Sequence, residues 1–198
     1  MATNANTGGS VHHTILLWPL PEMVVAVAFA SASRRLGRAG LPIAIVATAV
    51  MAIFGVLVTN EYYFVSYSYG PTPVWSDAVL PLTDYVKGVR SGNVYCVDWG
   101  MLDSIRYLSH GTVKVAEGTD PISKPQLSPD DRIIALRMVS EEGAIFVGHT
   151  KDFENFQGTN EKLVKFAVNE GYQREMMSVI ADSFGRPAFE VYRFVKAE

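Results

Sequence analysis

The sequence has little charge, and the charge it has is unevenly placed. Charged residues make up 19% of the 198 residues, against roughly 25% in an average soluble protein. Residues 39–59 contain no charged side chain, and residues 14–33 contain only Glu22. The net charge of −3 leaves no basic excess of the kind that nucleic-acid-binding proteins carry. We therefore expect no nucleic-acid partner, and an apolar surplus concentrated near the N-terminus.

Cysteine is nearly absent as well. Cys96 is the single cysteine of the chain, so an intramolecular disulfide is impossible. The number of cysteines therefore gives no information about the cellular compartment of the protein. Cys96 lies in an apolar run, where a buried, inert thiol is the expected interpretation rather than a reactive one.

Several motifs that carry known chemistry are missing. The chain has no GxGxxG, Walker A or GxSxG pattern. Its four histidines show neither an HExxH motif nor a zinc-like spacing with cysteine; they are His12, His13, His110 and His149. These absences argue against a self-contained enzyme, and we predict no catalytic residue, no metal site and no cofactor.

Two apolar stretches of about 19 residues lie near the N-terminus, Thr14–Ala32 and Leu41–Thr59. At 1.5 Å per residue, each has nearly the length that crosses about 30 Å of hydrocarbon. Pro19, Pro21 and Glu22 interrupt the first stretch, and an ionisable group at mid-membrane costs about 2.5–3.5 kcal/mol. We therefore predict two transmembrane helices, with Glu22 facing other helices or a wet cavity.

Positive charge predicts how these helices are oriented. Arg34, Arg35 and Arg38 lie between the two stretches, whereas residues 1–13 carry no Lys or Arg. By the positive-inside rule, residues 33–40 form a cytoplasmic turn and both termini lie outside the cytoplasm. Two alternatives are a cleaved signal peptide, because AFASAS resembles a cleavage site, and a pair of buried helices in a soluble protein. The first is disfavoured because the arginines follow the apolar run instead of preceding it.

The remaining segments complete the predicted organisation. Residues 1–13 form a disordered outside tail, residues 14–59 the membrane hairpin, residues 60–75 an aromatic and proline-rich linker, and residues 76–198 an extracytoplasmic α/β domain. We therefore predict an integral membrane protein, with the lipid bilayer and other transmembrane helices as partners.

In the α/β domain, short apolar strands alternate with helical patterns in the order α-β-α-β-α-β-α-β-β. Strands are expected at residues 93–99, 112–116, 144–147, 176–181 and 188–194. Ser128-Pro129-Asp130-Asp131 is a typical helix start, with a cap, a proline and acidic residues in the first turn. The fold class predicted is a membrane helical hairpin followed by a small, mostly parallel sheet with helices on both faces and a C-terminal β-hairpin.

Two loops at predicted strand ends are candidate ligand sites, because open α/β sheets bind ligands at the carboxyl ends of their strands. Asp98 and Asp103 follow the first strand, and His149 and Lys151 follow the third, where they would meet a phosphate or sugar. The competing interpretations are that Asp98 only caps the next helix and that His149 is a solvated or capping residue.

A third candidate site lies at the outer mouth of the first membrane segment. His12 and His13 would sit at the headgroup level, where two imidazoles can bind a lipid phosphate, and Glu22 could pair with such a site. The alternative is that the two histidines only position the helix at the interface.

Four motifs in this order resemble a known family: HH-x4-WPLP entering a helix, WSDA, VYCVDWG and GRPAFEVYR. The chain from about Ser10 onward is similar to the C-terminal end of bacterial GT-C class membrane glycosyltransferases, of the protein-O-mannosyltransferase-like and aminoarabinose-transferase-like type. The resemblance implies a place in the bacterial plasma (inner) membrane and transfer of a sugar from a polyprenyl-phosphate carrier at the outer face of that membrane. The catalytic aspartate of that family lies in the first outside loop, near the N-terminus, and no residue here matches it.

Three functional hypotheses follow. The first is a terminal, non-catalytic part of a glycosyltransferase that uses a polyprenyl-phosphate-linked sugar. The second is a stand-alone, membrane-anchored extracytoplasmic binding module without catalysis. The third is an independent α/β enzyme tethered to the membrane, which requires Asp98, Asp103 and His149 to converge on one pocket.

Overall fold

The computed structural model describes residues 19–70, 76–89 and 92–197. The chain divides into two compact units, Met1–Tyr63 and Phe64–Glu198.

The described residues of the first unit, 19–63, are mainly helical. Helix α1 covers Leu20–Arg35 and carries Glu22, which is exposed, in its first turn. A 3₁₀ turn at Gly37–Ala39 leads into helix α2, which begins at Gly40 and ends at Tyr69. The residues of α2 from Phe64 onward belong to the second unit. Gly40 is required at this turn, because a Cβ atom there would lie 1.9 Å from the carbonyl oxygen of Ser33.

The predicted pair of membrane spans is not shown. Of the described residues, one helical stretch, Gly37–Tyr69, is long and apolar enough by length and composition to cross a membrane. Helix α1 has 16 residues, which is short of the roughly 20 needed to span. His12 and His13 lie outside the described residues.

Helix α2 extends through residues 60–69 of the predicted linker, and residues 71–75 lie outside the described residues. The helix continues through the aromatic segment to Tyr69 and stops where Gly70 adopts a φ of +83°. Tyr, Phe and Val disfavour helix only weakly, so no residue before Gly70 forces the helix to end.

The second unit is built around a five-stranded sheet whose spatial order is β2-β1-β3-β5-β4. Helices α3 to α7 accompany it, and the elements follow the predicted order, with α5 added. The bounds are α3 Val79–Gly88, β1 Val94–Cys96, α4 Leu102–Leu108, β2 Val115–Glu117, α5 Asp120–Ser123, α6 Pro129–Ser140, β3 Ile145–His149, α7 Thr159–Asn169, β4 Tyr172–Ala181 and β5 Pro187–Lys196.

The pairing of the strands makes the sheet mixed rather than mostly parallel. Strand β1 pairs in parallel with β2 and β3, whereas β5 pairs antiparallel with both β3 and β4. The predicted C-terminal hairpin is confirmed, but β5 inserts between β3 and β4, which adds a second antiparallel ladder. The strand pattern predicts the hairpin itself, while its position in the sheet depends on long-range pairing.

Both faces of the sheet are covered by helices, as expected. In β1, Val94 and Cys96 pack on the side of α3 and α4, while Tyr95 packs on the side of α5, α6 and α7. Strand β3 alternates in the same way, with Phe146 joining the cluster of Tyr95. The period-two alternation of a strand therefore divides these apolar runs between two cores.

Two local features fix the helices in place. Helix α6 starts with the predicted cap: Ser128 accepts a hydrogen bond from the amide of Asp131, and the Asp131 carboxylate accepts from the amide of Ser128. At the end of α2, the guanidinium of Arg186 in the β4–β5 turn donates to the carbonyl oxygen of Tyr69 (3.2 Å) and pairs with the buried carboxylate of Asp182. The hairpin turn thus caps the last turn of α2.

Candidate functional site

The sheet topology creates a crevice at the carboxyl ends of β1 and β3. From β1 the chain passes through α4 to β2 on one side, whereas from β3 it passes through α7 to β4 on the other side. Connections that leave neighbouring parallel strands in opposite directions form a topological switch point, where open α/β sheets bind ligands. This edge of the sheet carries the candidate site.

Asp98 and His149 meet at this switch point. Cys96 of β1 is in register with Val147 of β3, so the residues that lie two positions further along both strands are neighbours. Oδ2 of Asp98 lies 2.7 Å from Nδ1 of His149, and both side chains are buried, with 0% and 4% of their surface exposed. The pair is 51 residues apart in sequence and is brought together by the parallel pairing.

Backbone amides hold Asp98 in position. Its carboxylate accepts hydrogen bonds from the amides of Trp99 (2.8 Å), Asn155 (2.7 Å) and Phe156 (3.0 Å). Burial raises the pKa of this carboxyl, but the hydrogen bonds from His149 and the three amides outweigh it and hold the pKa below its ordinary value. Asp98 is therefore an ionised acceptor, and Nδ1 of His149 is the donor in the pair.

The loop after β3 is shaped to deliver these amides. The amide of Thr150 donates to the carbonyl oxygen of Ala188 (2.9 Å), and its hydroxyl donates to that of Pro187 (2.7 Å). The amide of Phe153 donates to the carbonyl oxygen of Thr150 (2.9 Å). This turn folds the chain back over the end of β1, so that the next amides point at Asp98.

The second ring nitrogen of His149 remains open to solvent. Within the described ranges, no hydrogen bond to Nε2 is formed, and no buried side-chain nitrogen or oxygen lacks a partner. Nε2 must therefore reach solvent, although the ring is nearly buried and lies 4.8 Å from the ring of Phe189. Asp98 and Phe189 together fix the orientation of an imidazole whose free nitrogen is available to a ligand.

Two cavities border His149. The larger, of about 540 Å³, is lined by residues that include Ser76, Asp98, Trp99, Asp103, Glu117 and Phe189. The smaller, of about 270 Å³, is lined by residues that include Lys151, Glu154, Asn160, Glu161, Arg174 and Glu190. Among the described residues that line the smaller cavity, the carboxylates outnumber the two cations, so these residues do not offer a phosphate a positive field.

Polar groups of the smaller cavity are largely occupied by one another. The carboxylate of Glu154 accepts from the amides of Gly158 (2.6 Å) and Asn160 (2.9 Å) and so satisfies the start of α7. Arg174 donates to Glu190 (2.8 Å), and the buried hydroxyl of Tyr192 donates to the side-chain carbonyl of Asn160 (2.6 Å). This hydrogen-bond network stabilises the structure next to the larger cavity.

The four residues singled out in the α/β domain all border these cavities. Asp98 and His149 form the central pair; Asp103 lines the larger cavity and Lys151 the smaller. The side chain of Asp103 is 89% exposed and accepts from Arg106 (3.1 Å), so it belongs to the rim. Of the remaining candidates, Glu22 lies in the first unit.

Sequence reasoning missed Trp99, Glu117 and Glu154. Trp99 and Glu117 lie at the carboxyl ends of β1 and β2 and line the larger cavity. Both could have been predicted, like Asp98, because open α/β sheets bind ligands at the carboxyl ends of their strands. No sequence signal pointed to Glu154, whose role depends on the loop that folds it over α7.

The arrangement is suited to holding a polar ligand. The described residues include no group of three or more His, Cys, Asp or Glu side chains placed to bind a metal ion. Cys96 is fully buried, and burial raises the pKa of its thiol, which keeps it protonated and unreactive.

Comparison of the chain with protein-family models, curated proteins and solved structures found no match.

Proposed function

We propose that the chain is the membrane-anchored, non-catalytic terminal part of a glycosyltransferase that takes a sugar from a polyprenyl-phosphate carrier. Its α/β unit lies outside the cytoplasm and contributes a ligand cleft at the β1–β3 switch point. One observation carries the proposal. Three of the motifs that resemble the glycosyltransferase family are far apart in sequence, yet each supplies residues to the larger cavity.

The contributions come from separate elements. WSDA supplies Ser76, VYCVDWG supplies Asp98 and Trp99, and GRPAFEVYR supplies Phe189. Their convergence supports a function that these segments share.

Helix α2 supports membrane attachment. Its 30 residues correspond to about 45 Å at 1.5 Å per residue, which exceeds the roughly 30 Å of hydrocarbon. The last ten residues carry exposed aromatic side chains, as is typical of a membrane interface; they are Tyr62, Tyr63, Phe64, Tyr67 and Tyr69.

The finer topology is part of the proposal. The residues before Arg35 form a second span, the arginine-rich turn faces the cytoplasm and both termini lie outside. His12 and His13 contact the carrier phosphate, and Glu22 faces neighbouring helices. Small residues on α2 allow such helices to approach closely; they are Ala44, Ala47, Ala49 and Ala52.

The size of the native polypeptide tests this proposal. An antibody raised against residues 76–198 is used to blot membranes of the native organism, with and without prior chemical cross-linking. We expect a band several times heavier than the 21.7 kDa of this chain, either directly or after cross-linking to a polytopic membrane protein. A band near 22 kDa that cross-linking leaves unchanged would overturn the proposal.

The second candidate is a stand-alone anchored binding module. It is favoured by the fact that the Asp98–His149 pair and both cavities are formed within the second unit, from residues 76 to 190. The purified full chain in a sugar-free detergent would then be monodisperse and bind its ligand without a partner. Aggregation that is relieved only by co-expression with a polytopic protein would exclude it.

The proposed role of the N-terminal histidines has its own test. Substitution of His12 and His13 by alanine in the full assembly is expected to weaken carrier binding, because two phosphate contacts are removed. Unchanged transfer activity and unchanged carrier affinity would eliminate that role while leaving the cleft unaffected.

A further inference from the structure

We propose that the larger cavity is a carbohydrate site that takes one uncharged pyranose ring, and that Trp99 and the open nitrogen of His149 recognise it. The choice of a sugar as ligand rests on the proposed function. The position, polarity and charge of the site follow from the residues that line the cavity.

One side of the cavity is apolar. Trp99 is 40% exposed and lines the cavity together with Val79, Leu102 and Phe189. A pyranose ring carries C–H groups on one face, and an aromatic ring with a large flat surface packs against such a face. A phosphate or a nucleotide phosphate group would gain nothing from this surface.

The other side offers hydrogen-bonding groups that match sugar hydroxyls. Nε2 of His149 is open to solvent and is fixed in direction by Asp98. The carboxylates of Glu117 and Asp103 also border the cavity, and each accepts two hydrogen bonds per oxygen. A hydroxyl both donates and accepts, so it satisfies a carboxylate and an imidazole nitrogen at once.

The charged side chains around the larger cavity disfavour an anionic ligand, and they do not require a cationic ligand. None of the described residues that line it is Lys or Arg. The negative charge is also partly compensated, because Asp103 accepts from Arg106 at 3.1 Å and Glu117 accepts from the amide of Thr119 at 2.7 Å. An uncharged polyol therefore suits the site better than a phosphate or an ammonium group.

The two cavities differ in size, and only the larger has the volume expected of a small-molecule site. The larger, at about 540 Å³, falls within the roughly 300–1,000 Å³ of small-molecule sites. The smaller, at about 270 Å³, falls below that range and is occupied by its own ion pairs. The sugar ring is therefore assigned to the cavity that contains Trp99.

The test uses the full chain in nanodiscs or in a detergent without a sugar headgroup, so that no glycoside competes. Saturation-transfer difference NMR is recorded with a panel of methyl pyranosides, with an amino sugar and with inorganic phosphate. We expect at least one uncharged pyranoside to bind, with the strongest transfer on one C–H face. Inorganic phosphate at the same concentration should not displace it.

Variants locate the site. Trp99→Ala is expected to weaken binding about tenfold, which corresponds to about 1.4 kcal/mol, and Trp99→Phe should recover part of the loss. Tyr107→Ala is the matched control, because Tyr107 is an exposed aromatic residue of α4 (81%) that lines neither cavity, and it should leave binding unchanged. Circular dichroism of each variant shows whether the unit is still folded.

Several results would overturn the inference: no pyranoside binding, binding that Trp99→Ala leaves intact, displacement by phosphate, or binding of the amino sugar alone. Failure here is separable from failure of the proposed function. A heavy band on the blot without sugar binding would reject the sugar site but not the glycosyltransferase assignment. Sugar binding by a lone 22 kDa chain would support the sugar site and reject the glycosyltransferase assignment.

Discussion

The two units of this protein place apolar side chains in opposite situations. In the first unit, α1 contains no buried residue, and in α2 Gly40 is the one residue that is buried. Valine, isoleucine and phenylalanine along α2 are exposed, with Phe54 63% accessible. In the second unit the same residue types are enclosed, and Phe146, Val147 and Ile105 have no accessible surface.

This difference shows that the presence of an apolar residue does not by itself tell whether its side chain is buried within the protein or exposed on its surface. The second unit buries its apolar side chains against its own helices and therefore supplies its own stability. The first unit exposes a continuous apolar helix, which in water would be a large unfavourable surface. The proposed membrane attachment would cover this surface with lipid or with other helices.

The largest effect is expected from removing a core ring of the second unit. Phe146 stacks on Tyr95 (5.4 Å) and Tyr192 (5.7 Å) and meets Phe194 edge to face (4.8 Å). Phe146→Ala is expected to destabilise the unit by about 3–5 kcal/mol, because a buried ring leaves a cavity. Denaturant unfolding followed by near-ultraviolet circular dichroism measures this loss, and Phe54→Ala should leave the same transition unchanged.

The next effect concerns the middle of α2. Phe54→Arg places a charge near the centre of the proposed span and is expected to cost about 2.5–3.5 kcal/mol of insertion free energy. Resistance to alkaline carbonate extraction measures membrane integration and should fall. Val168→Arg is the matched control, because Val168 is also exposed (57%) but lies on α7. Equal extraction of both variants would contradict a membrane position for α2.

A smaller effect is expected at the candidate site. Asp98→Asn removes the charge that accepts from His149 and three amides, and is expected to cost about 1–3 kcal/mol near pH 7. The measurement is denaturant unfolding of the full chain. Asp103→Asn is the control, since its exposed side chain should change stability by no more than about 0.5 kcal/mol. Comparable losses of stability in both variants would contradict a specific stabilising role for the Asp98–His149 pair.

The same variant makes a prediction about pH. The pKa of Asp98 is lowered in the folded protein, so its stabilisation is fully present above the unfolded value of about 3.9. It is lost as the pH falls through the lower, folded pKa. The wild type should therefore lose stability below about pH 4 more steeply than Asp98→Asn, and parallel pH profiles would refute this contribution.

The smallest effect is expected at the end of α2. Arg186→Ala removes the donor to the carbonyl oxygen of Tyr69 and leaves the carboxylate of Asp182 without its ion pair. Because the Arg186 side chain is 36% exposed, the expected loss is about 1–2 kcal/mol. Faster amide hydrogen exchange at residues 66–69, without a change in the sheet, would show that this contact secures the helix end.

Local sequence patterns predicted most of the elements of the second unit. The cap at Ser128 and Asp131 is as expected because capping involves residues three positions apart. The short α5 was missed, since four residues carry too little periodicity to be read. The order of helices and strands also follows the pattern, because apolar runs and glycine or proline breaks are local signals.

The candidate site was predictable only as separate pieces. Asp98 and His149 were each expected at a strand end, but neither their 2.7 Å contact nor the amides of Asn155 and Phe156 follow from spacing. The C-terminal hairpin was expected, but the position of strand β5 between β3 and β4 was not specified by any local pattern. These features depend on which strands pair, and the free energy of pairing is distributed over many distant contacts.

The sequence by itself determined the existence of the long apolar helix, the alternation of elements and the identity of the polar residues at the strand ends. Each of these is set by residues within one or two turns of one another, where propensity, capping and periodicity act. The tertiary structure alone decided that the sheet is mixed, that Asp98 orients His149, and that Trp99 and Glu117 border the same cavity. Those outcomes require residues tens of positions apart to share one low-energy packing arrangement, which no local preference specifies.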